Sequence, residues 1–323
     1  MIQMNISSST AVTQAMDRLR WFFALRDSRD DVSGKDRDTL EFERMLRQRA
    51  SPLFRFIWRC EQWGRQISTI GFNLWKVLWH ATIGRWVYVK NGRFAMEAEI
   101  MRFVSSHTSI PLPRVWANIS YKDRHYILMA RVNGMVLEEA WDQLPFDTKA
   151  IVAEQLANYI SQLRAIPPPP DVRAICSLGG GPVQCHRLHD DGVAGPFRDE
   201  DHMNFQLRHC RPMDAYPAFV QSAHSKSHPL VFTHNDLFPR NIMIDQTTGQ
   251  VLAVLDWESA GWFPSHWEYC KSRNWGIWKP YQQEWMNEWV PKVIPVYEEE
   301  AKADRFLMYE SGLSSLNPIR HAP

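Results

Sequence analysis

The chain has 323 residues, with 37 Lys and Arg against 36 Asp and Glu, a net charge of +1, and 45% hydrophobic residues. That apolar content can build a sizeable core, while the near-neutral balance argues against a nucleic-acid binder, which carries a basic excess or patch. Cys60, Cys176, Cys185, Cys210 and Cys270 are scattered with no C-x-x-C pair, and there is no secretory or membrane-spanning apolar run, so the expectation is a cytoplasmic protein with reduced thiols.

Residues 1–50 are polar and charge-mixed and read as an extension, helical at 15–25 and 39–49. From 53 to 78 an apolar stripe recurs at helical spacing through Phe56, Ile57, Cys60, Trp63, Ile67, Ile70, Leu74 and Leu78, with Arg55, Arg59, Arg65 and Lys76 elsewhere. A helix packed on the neighbouring small domain is the commoner outcome for such a stripe. The sharper alternative is an interfacial helix that touches a membrane or a partner. Strand patterns at 86–90, 115–119 and 125–129 predict a small antiparallel sheet, with a helix over 97–104 inside it.

A helical pattern at 148–166, through Ile151, Val152, Gln155, Leu156, Tyr159, Ile160 and Leu163, stops at Pro167. Residues 171–229 read as loop-rich. Within them Cys185, His186, His189, Asp190 and Asp191 have zinc-like spacing but no second cluster, which points to a solvated loop. The glycines at 179–181 lack the Lys-Ser/Thr and the strand-to-helix setting of a phosphate loop. Residues 267–293 are aromatic-rich and mostly helical. Most of the 15 tryptophans belong in the core, with Trp275 and Trp278 as candidates to line an acceptor pocket.

The chemistry concentrates in His234-Asn235-Asp236-Leu237-Phe238-Pro239-Arg240-Asn241, followed by Val254-Leu255-Asp256-Trp257-Glu258. Apolar runs at 229–233, 241–244 and 251–255, with a turn at 246–250, predict a strand leading into Asp236 and then a hairpin. A hairpin returns Asp256 to the side of Asn241, bringing two hard oxygen ligands together. Asp236 is placed to orient and deprotonate an acceptor hydroxyl. Taken singly, Asp236 and Asn241 are as readily turn caps. The ordered set favours phosphoryl transfer. Lys90 ends an apolar strand and calls for an anion, or else is an ordinary lysine of the turn Lys90-Asn91-Gly92.

These residues resemble the aminoglycoside phosphotransferase and choline kinase-like family, most closely its fungal-type small-molecule branch, whose loop has the form H-G-D-x-x-P-R-N followed by D-W-E. The resemblance covers roughly residues 85 to 275. It implies an α+β, two-lobed protein-kinase-like fold: an N-lobe over 51–132 with a small antiparallel sheet, and a larger, mainly helical C-lobe over 133–323. It implies ATP and Mg2+ as cofactors and a small-molecule hydroxyl as acceptor. Asp236 would be the base, Asn241 and Asp256 the magnesium ligands, and Lys90 the phosphate-contacting lysine. Glu97 would be the partner of Lys90, with Glu99 as fallback. The backbone at Ala130 and Val132 would take the adenine edge. His234, Arg240 and Glu258 would support the site. Asn235 stands where the family has glycine, and Asn tolerates a positive φ better than most residues. No glycine-rich loop precedes Lys90, and Gly71 and Gly84 are the nearest glycines before it. Two rivals therefore stay open: an impaired kinase fold used as a binding module, and an ATP-independent enzyme reusing the pocket.

Overall fold

The computed structural model describes residues 83–310 apart from 93–95, 122–123, 170–173, 190–191 and 274–279. The 1–50 extension, the 53–78 stripe, Trp275, Trp278 and the tail from 311 lie outside the described residues. Of the described residues, 83–98 and 113–132 make one compact unit, and 99–112 with 133–310 make another.

In the first unit β1 (Val87–Gly92), β2 (Val115–Tyr121) and β3 (Arg124–Ala130) form an antiparallel sheet in the order β1-β3-β2. Val87 lies opposite Ala130 and Lys90 opposite Ile127. Val87, Ala117, Ile127 and Leu128 are buried, as suits β-branched and aliphatic residues on a pleated face. Helix α1 (Glu97–His107) begins in this unit with Glu97 and Ala98 and continues in the second. The predicted strands and helix are all present, each extending beyond its predicted end.

The second unit opens with β4 (Met135–Val136), α2 (Leu137–Ala140) and the 20-residue α3 (Phe146–Ala165). Helix α3 buries Val152, Ala153, Leu156, Ile160 and Leu163 and ends just before the proline run. Ile151 is left 46% exposed, so the buried stripe is narrower than the sequence pattern. Then follow β5 (Cys176–Ser177), β6 (Val183–Gln184), β7 (Val193–Ala194), α4 (Glu200–Leu207), α5 (Ala218–His224), β8 (Leu230–Thr233), β9 (Ile242–Ile244), β10 (Val251–Val254) and β11 (Gly261–Pro264). Helices α6 (Trp267–Arg273), α7 (Pro280–Glu284), α8 (Val290–Val293) and α9 (Glu298–Glu310) complete it. The strands form small sheets in the orders β10-β9-β4, β5-β11-β8 and β6-β7. In the second of these, a side chain at Gly261 would bring its Cβ to 2.5 Å from the Cys176 carbonyl.

Two features of 171–229 differ from the loop-rich reading. Helix α4 is capped by the Asp199 carboxylate, which accepts the His202 N–H at 2.8 Å, and α5 packs against α9. The segment with zinc-like spacing is solvated in part: His186 and His189 are exposed, while Cys185 and Leu188 are buried and Arg187 pairs with Asp304 at 2.7 Å, with side chains only 6% and 8% exposed. Among the described residues Trp141, Trp257, Trp262, Trp267, Trp285 and Trp289 are buried, while Trp86 is 59% exposed. Trp141, Trp285 and Trp289 meet edge to face, and Glu284 accepts the indole N–H of Trp141 and of Trp289 at 2.9 and 3.0 Å.

His224, the last residue of α5, accepts a hydrogen bond from the Arg208 guanidinium at 2.8 Å on Nδ1. Burial, and then that guanidinium, push its pKa down from 6.5 to about 4. The unfolded chain therefore takes up a proton at His224 near pH 6.5 and the folded one only near pH 4. Stability is lost as pH falls through that interval, by up to about 3 kcal/mol. Urea unfolding of the wild type and His224→Gln checks this: the wild type should lose the larger share of its stability between about pH 7 and pH 4. Parallel profiles would overturn it.

Candidate active site

Strand β8 is buried through Val231, Phe232 and Thr233 and delivers the chain into the loop that begins at His234. Pro239 then opens a single 3-10 turn through Asn241, its missing N–H being no loss at that position. Strands β9 and β10 return the chain as the predicted hairpin. Its turn is held by Asp245, whose carboxylate accepts the N–H groups of Thr247 and Thr248 at 2.8 and 3.0 Å, and by Gly249 at φ 72°. The return brings the Leu255 N–H to the Asn241 carbonyl at 2.8 Å, so Asp256 follows directly on a residue bonded to Asn241. Asp256 has a left-handed backbone, φ 65° and ψ 60°, which in a non-glycine residue is strain kept by its surroundings.

The loop side chains are fixed in detail. Asp236 accepts Arg240 on Oδ1 at 2.6 Å and the Asn241 amide on Oδ2 at 2.7 Å. Arg240 also stacks over the Phe238 ring, 4.7 Å from its centroid. The Asn241 nitrogen donates as well to the Asp236 carbonyl at 2.8 Å, so its amide oxygen is the atom turned outward from that pair. His234 is fully buried. Its Nδ1 accepts the Asp236 N–H at 3.1 Å and its Nε2 donates to the Leu255 carbonyl at 3.0 Å, which ties the loop to the hairpin end. Asn235 adopts φ 67°. It donates to the Gln184 and Ser259 carbonyls and accepts the Trp267 indole N–H at 2.8 Å, so its buried amide is satisfied on both atoms. Glu258 sits in the turn after Asp256, partly exposed.

In the first unit the Lys90 ammonium lies 2.7–2.8 Å from both oxygens of the Glu97 carboxylate. Glu97 is 2% exposed and Lys90 22%. Such a pair, with one partner buried, matters more than a surface pair. Glu99, the fallback, is exposed. The Ala130 N–H is engaged by the Arg114 carbonyl at 2.9 Å and is not open to an adenine edge. Val132 closes this unit. Gly84 lies in a 3-10 turn, and its carbonyl accepts from Arg131. Gly71 lies outside the described residues.

A family model for the phosphotransferase enzyme family matches residues 90–305, about two thirds of the chain. The chain belongs to that family.

Among solved structures, this phosphotransferase is similar to an aminoglycoside-3'-phosphotransferase of type VIII, at 18% identity over 68% of this chain and 83% of that one, with a TM-score of 0.42. It is also similar to an aminoglycoside phosphotransferase, APH(3'')-Id, from Streptomyces rimosus in complex with ADP and streptomycin (18% identity, 69% and 85% coverage, TM-score 0.40). An ADP-bound aminoglycoside phosphotransferase, APH(2'')-Ib, matches at 14% identity, with 70% and 76% coverage and a TM-score of 0.43. No curated protein matches the chain. Membership rests on the family match and not on these superpositions.

One residue of the phosphotransferase acquires a role that its sequence did not disclose. Glu268 in α6 is 3% exposed, and its carboxylate accepts the Asn235 N–H at 3.0 Å with the Leu237 N–H beside it. Burial raises its pKa, opposed by His234, by those N–H groups and by Lys271. A lone acid among Trp267, Tyr269 and Cys270 was the available signal, but its target lies 33 residues away.

Proposed function

We propose that the protein transfers the γ-phosphoryl group of ATP to a hydroxyl of a small molecule. In this reading the first unit is the nucleotide-binding lobe, and the second carries the catalytic loop, the metal ligands and the acceptor pocket. The observation that carries it is the loop itself: a carboxylate held on both oxygens by Arg240 and Asn241, at the start of a hairpin that returns Asp256 to Asn241. Family membership supports the reaction class.

The donor set suits magnesium. Asn241 has its nitrogen committed to Asp236 and so presents an amide oxygen, and Asp256 supplies a carboxylate; both are hard oxygen ligands. When bound, magnesium neutralises the charge on the nucleotide phosphates. Asp236 orients the acceptor hydroxyl and takes its proton. Lys90, held by Glu97, contributes a fixed cation to phosphate oxygens. Positioning and electrostatics do most of the catalysis, because phosphoryl transfer asks little covalent chemistry of the protein.

The acceptor is left as a hydroxyl compound of unassigned class. A polycationic acceptor would want unengaged carboxylates. Yet Glu284 holds two indoles and Lys149, and Glu300 is 8% exposed and paired with Lys226 at 2.6 Å. The four described cysteines are free thiols, which supports a reducing, cytoplasmic setting. Among the described residues no helix is long and apolar enough to cross a membrane.

Calorimetric titration with ATP, with and without magnesium, tests the reading. Magnesium should tighten binding by about tenfold or more, and Asp256→Ala should remove that increment while the protein stays folded. A folded wild type that binds no ATP under either condition would turn the assignment to a binding module or an ATP-independent enzyme.

A further inference from the structure

Three side chains outside the catalytic loop converge from separate parts of the second unit: Glu200 at the start of α4, His228 just before β8, and His266 between β11 and α6. Glu200 Oε1 lies 2.8 Å from His228 Nδ1 and 2.9 Å from His266 Nε2, and the three atoms all fall within 4.8 Å of one another. The side chains are 11%, 10% and 8% exposed, so the cluster is nearly dry yet not sealed.

We propose that Glu200, His228 and His266 form a binding site for a divalent transition-metal ion of the zinc class, separate from the magnesium ligands of the catalytic loop. Two imidazoles and a carboxylate are a ligand set such ions take, with a water completing the sphere.

The second nitrogen of each ring has an outer partner of the kind a metal-bound histidine takes: His228 Nε2 lies 3.5 Å from Glu300 Oε1. With Nδ1 on an ion, Nε2 carries the proton and points it at that carboxylate. His266 has an outer partner as well: its Nδ1 lies 3.4 Å from Cys270 Sγ. Glu200 is oriented too, because its other oxygen accepts the His228 backbone N–H at 2.7 Å, leaving Oε1 for the ion. Lys226 holds Glu300 in place at 2.6 Å.

The two separations from Glu200 need only a small change. Zinc bonds of about 2.0–2.1 Å in a tetrahedron put ligand atoms about 3.3 Å apart, roughly half an ångström wider than those here. A small swing of the Glu200 carboxylate supplies that. The ion would clamp α4 to the entry of β8 and the start of α6. Strand β8 runs into the catalytic loop, and α6 carries Glu268, which grips it.

The test uses tag-free protein, stripped with a chelator and free of nucleotide and magnesium, titrated with cobalt(II) and then zinc. We expect about one equivalent of cobalt to give visible d–d absorption bands that zinc abolishes, and zinc to raise the melting temperature. His266→Gln and His228→Gln should lose the bands, and Asp256→Ala should keep them. Should the histidine variants not fold, Glu200→Gln keeps a hydrogen-bond acceptor and should weaken cobalt binding at least about tenfold. A folded wild type with neither cobalt bands nor a zinc-dependent melting shift overturns the proposal. Bands that survive in His266→Gln, or disappear in Asp256→Ala, overturn it equally.

Discussion

Asp236→Ala is expected to lower turnover by about a thousandfold while leaving nucleotide affinity within a few-fold. In the proposed reaction this carboxylate receives the proton of the acceptor hydroxyl, and its environment holds it in a single orientation. Arg240 fixes one oxygen at 2.6 Å and the Asn241 amide fixes the other at 2.7 Å. Each oxygen keeps a further lone pair for the acceptor hydroxyl. The substitution should cost little stability. The Asp236–Arg240 pair is partly solvated, with Asp236 20% and Arg240 34% exposed, and such pairs contribute about 1 kcal/mol or less. Arg240 also retains its stacking on Phe238. Nor does the change disturb the proposed metal ligands: Asn241 keeps its bond to the Asp236 backbone carbonyl, which any side chain at that position leaves intact. Turnover and nucleotide binding should therefore separate. Steady-state kinetics beside calorimetry reads both, and a variant retaining a tenth or more of wild-type turnover would remove Asp236 as the base.

That separation could be anticipated because the loop and hairpin are written locally. The apolar runs at 230–233, 242–244 and 251–254 are short and bounded by turn residues, and Asp245 with Gly249 dictates how the chain reverses. Asn235 was legible in the same way: a position that takes φ 67° favours Gly or Asn. Helix α4 was not, since its eight residues carry little apolar periodicity and only the Asp199 cap announces it. Its first residue, Glu200, meets His228 and His266, which are 28 and 66 positions away, and no local pattern could have joined them. At 185–191 the sequence pointed to a solvated loop, and His186 and His189 are exposed, but the inward turn of Arg187 and Leu188 toward Asp304 and the core was not legible, because Asp304 lies far along the chain.

Glu268 shows how such a long-range contact reaches the chemistry. Glu268→Ala should lower turnover by about a hundredfold, because misplacing a reacting group by about 1 Å has an effect of that order. The Asn235 N–H is buried and has the Glu268 carboxylate as its acceptor at 3.0 Å. Deleting the carboxylate leaves that donor unsatisfied, at a cost of about 1–3 kcal/mol, and the loop can recover the bond only by moving. Motion at Asn235 displaces Asp236 directly, and it strains the Asn235 contacts to Gln184, Ser259 and Trp267. Burying a carboxylate is itself unfavourable, and burial does raise the pKa of this one. The N–H groups it receives are the compensating contact. Glu268→Gln separates charge from hydrogen bonding. The amide oxygen can still accept from Asn235, so this variant should keep most of the turnover that Glu268→Ala loses. If both variants fall equally, the charge and not the acceptor organises the loop. If neither falls while urea unfolding shows both to be folded, Asp236 is held by Arg240, Asn241 and His234 without help from α6.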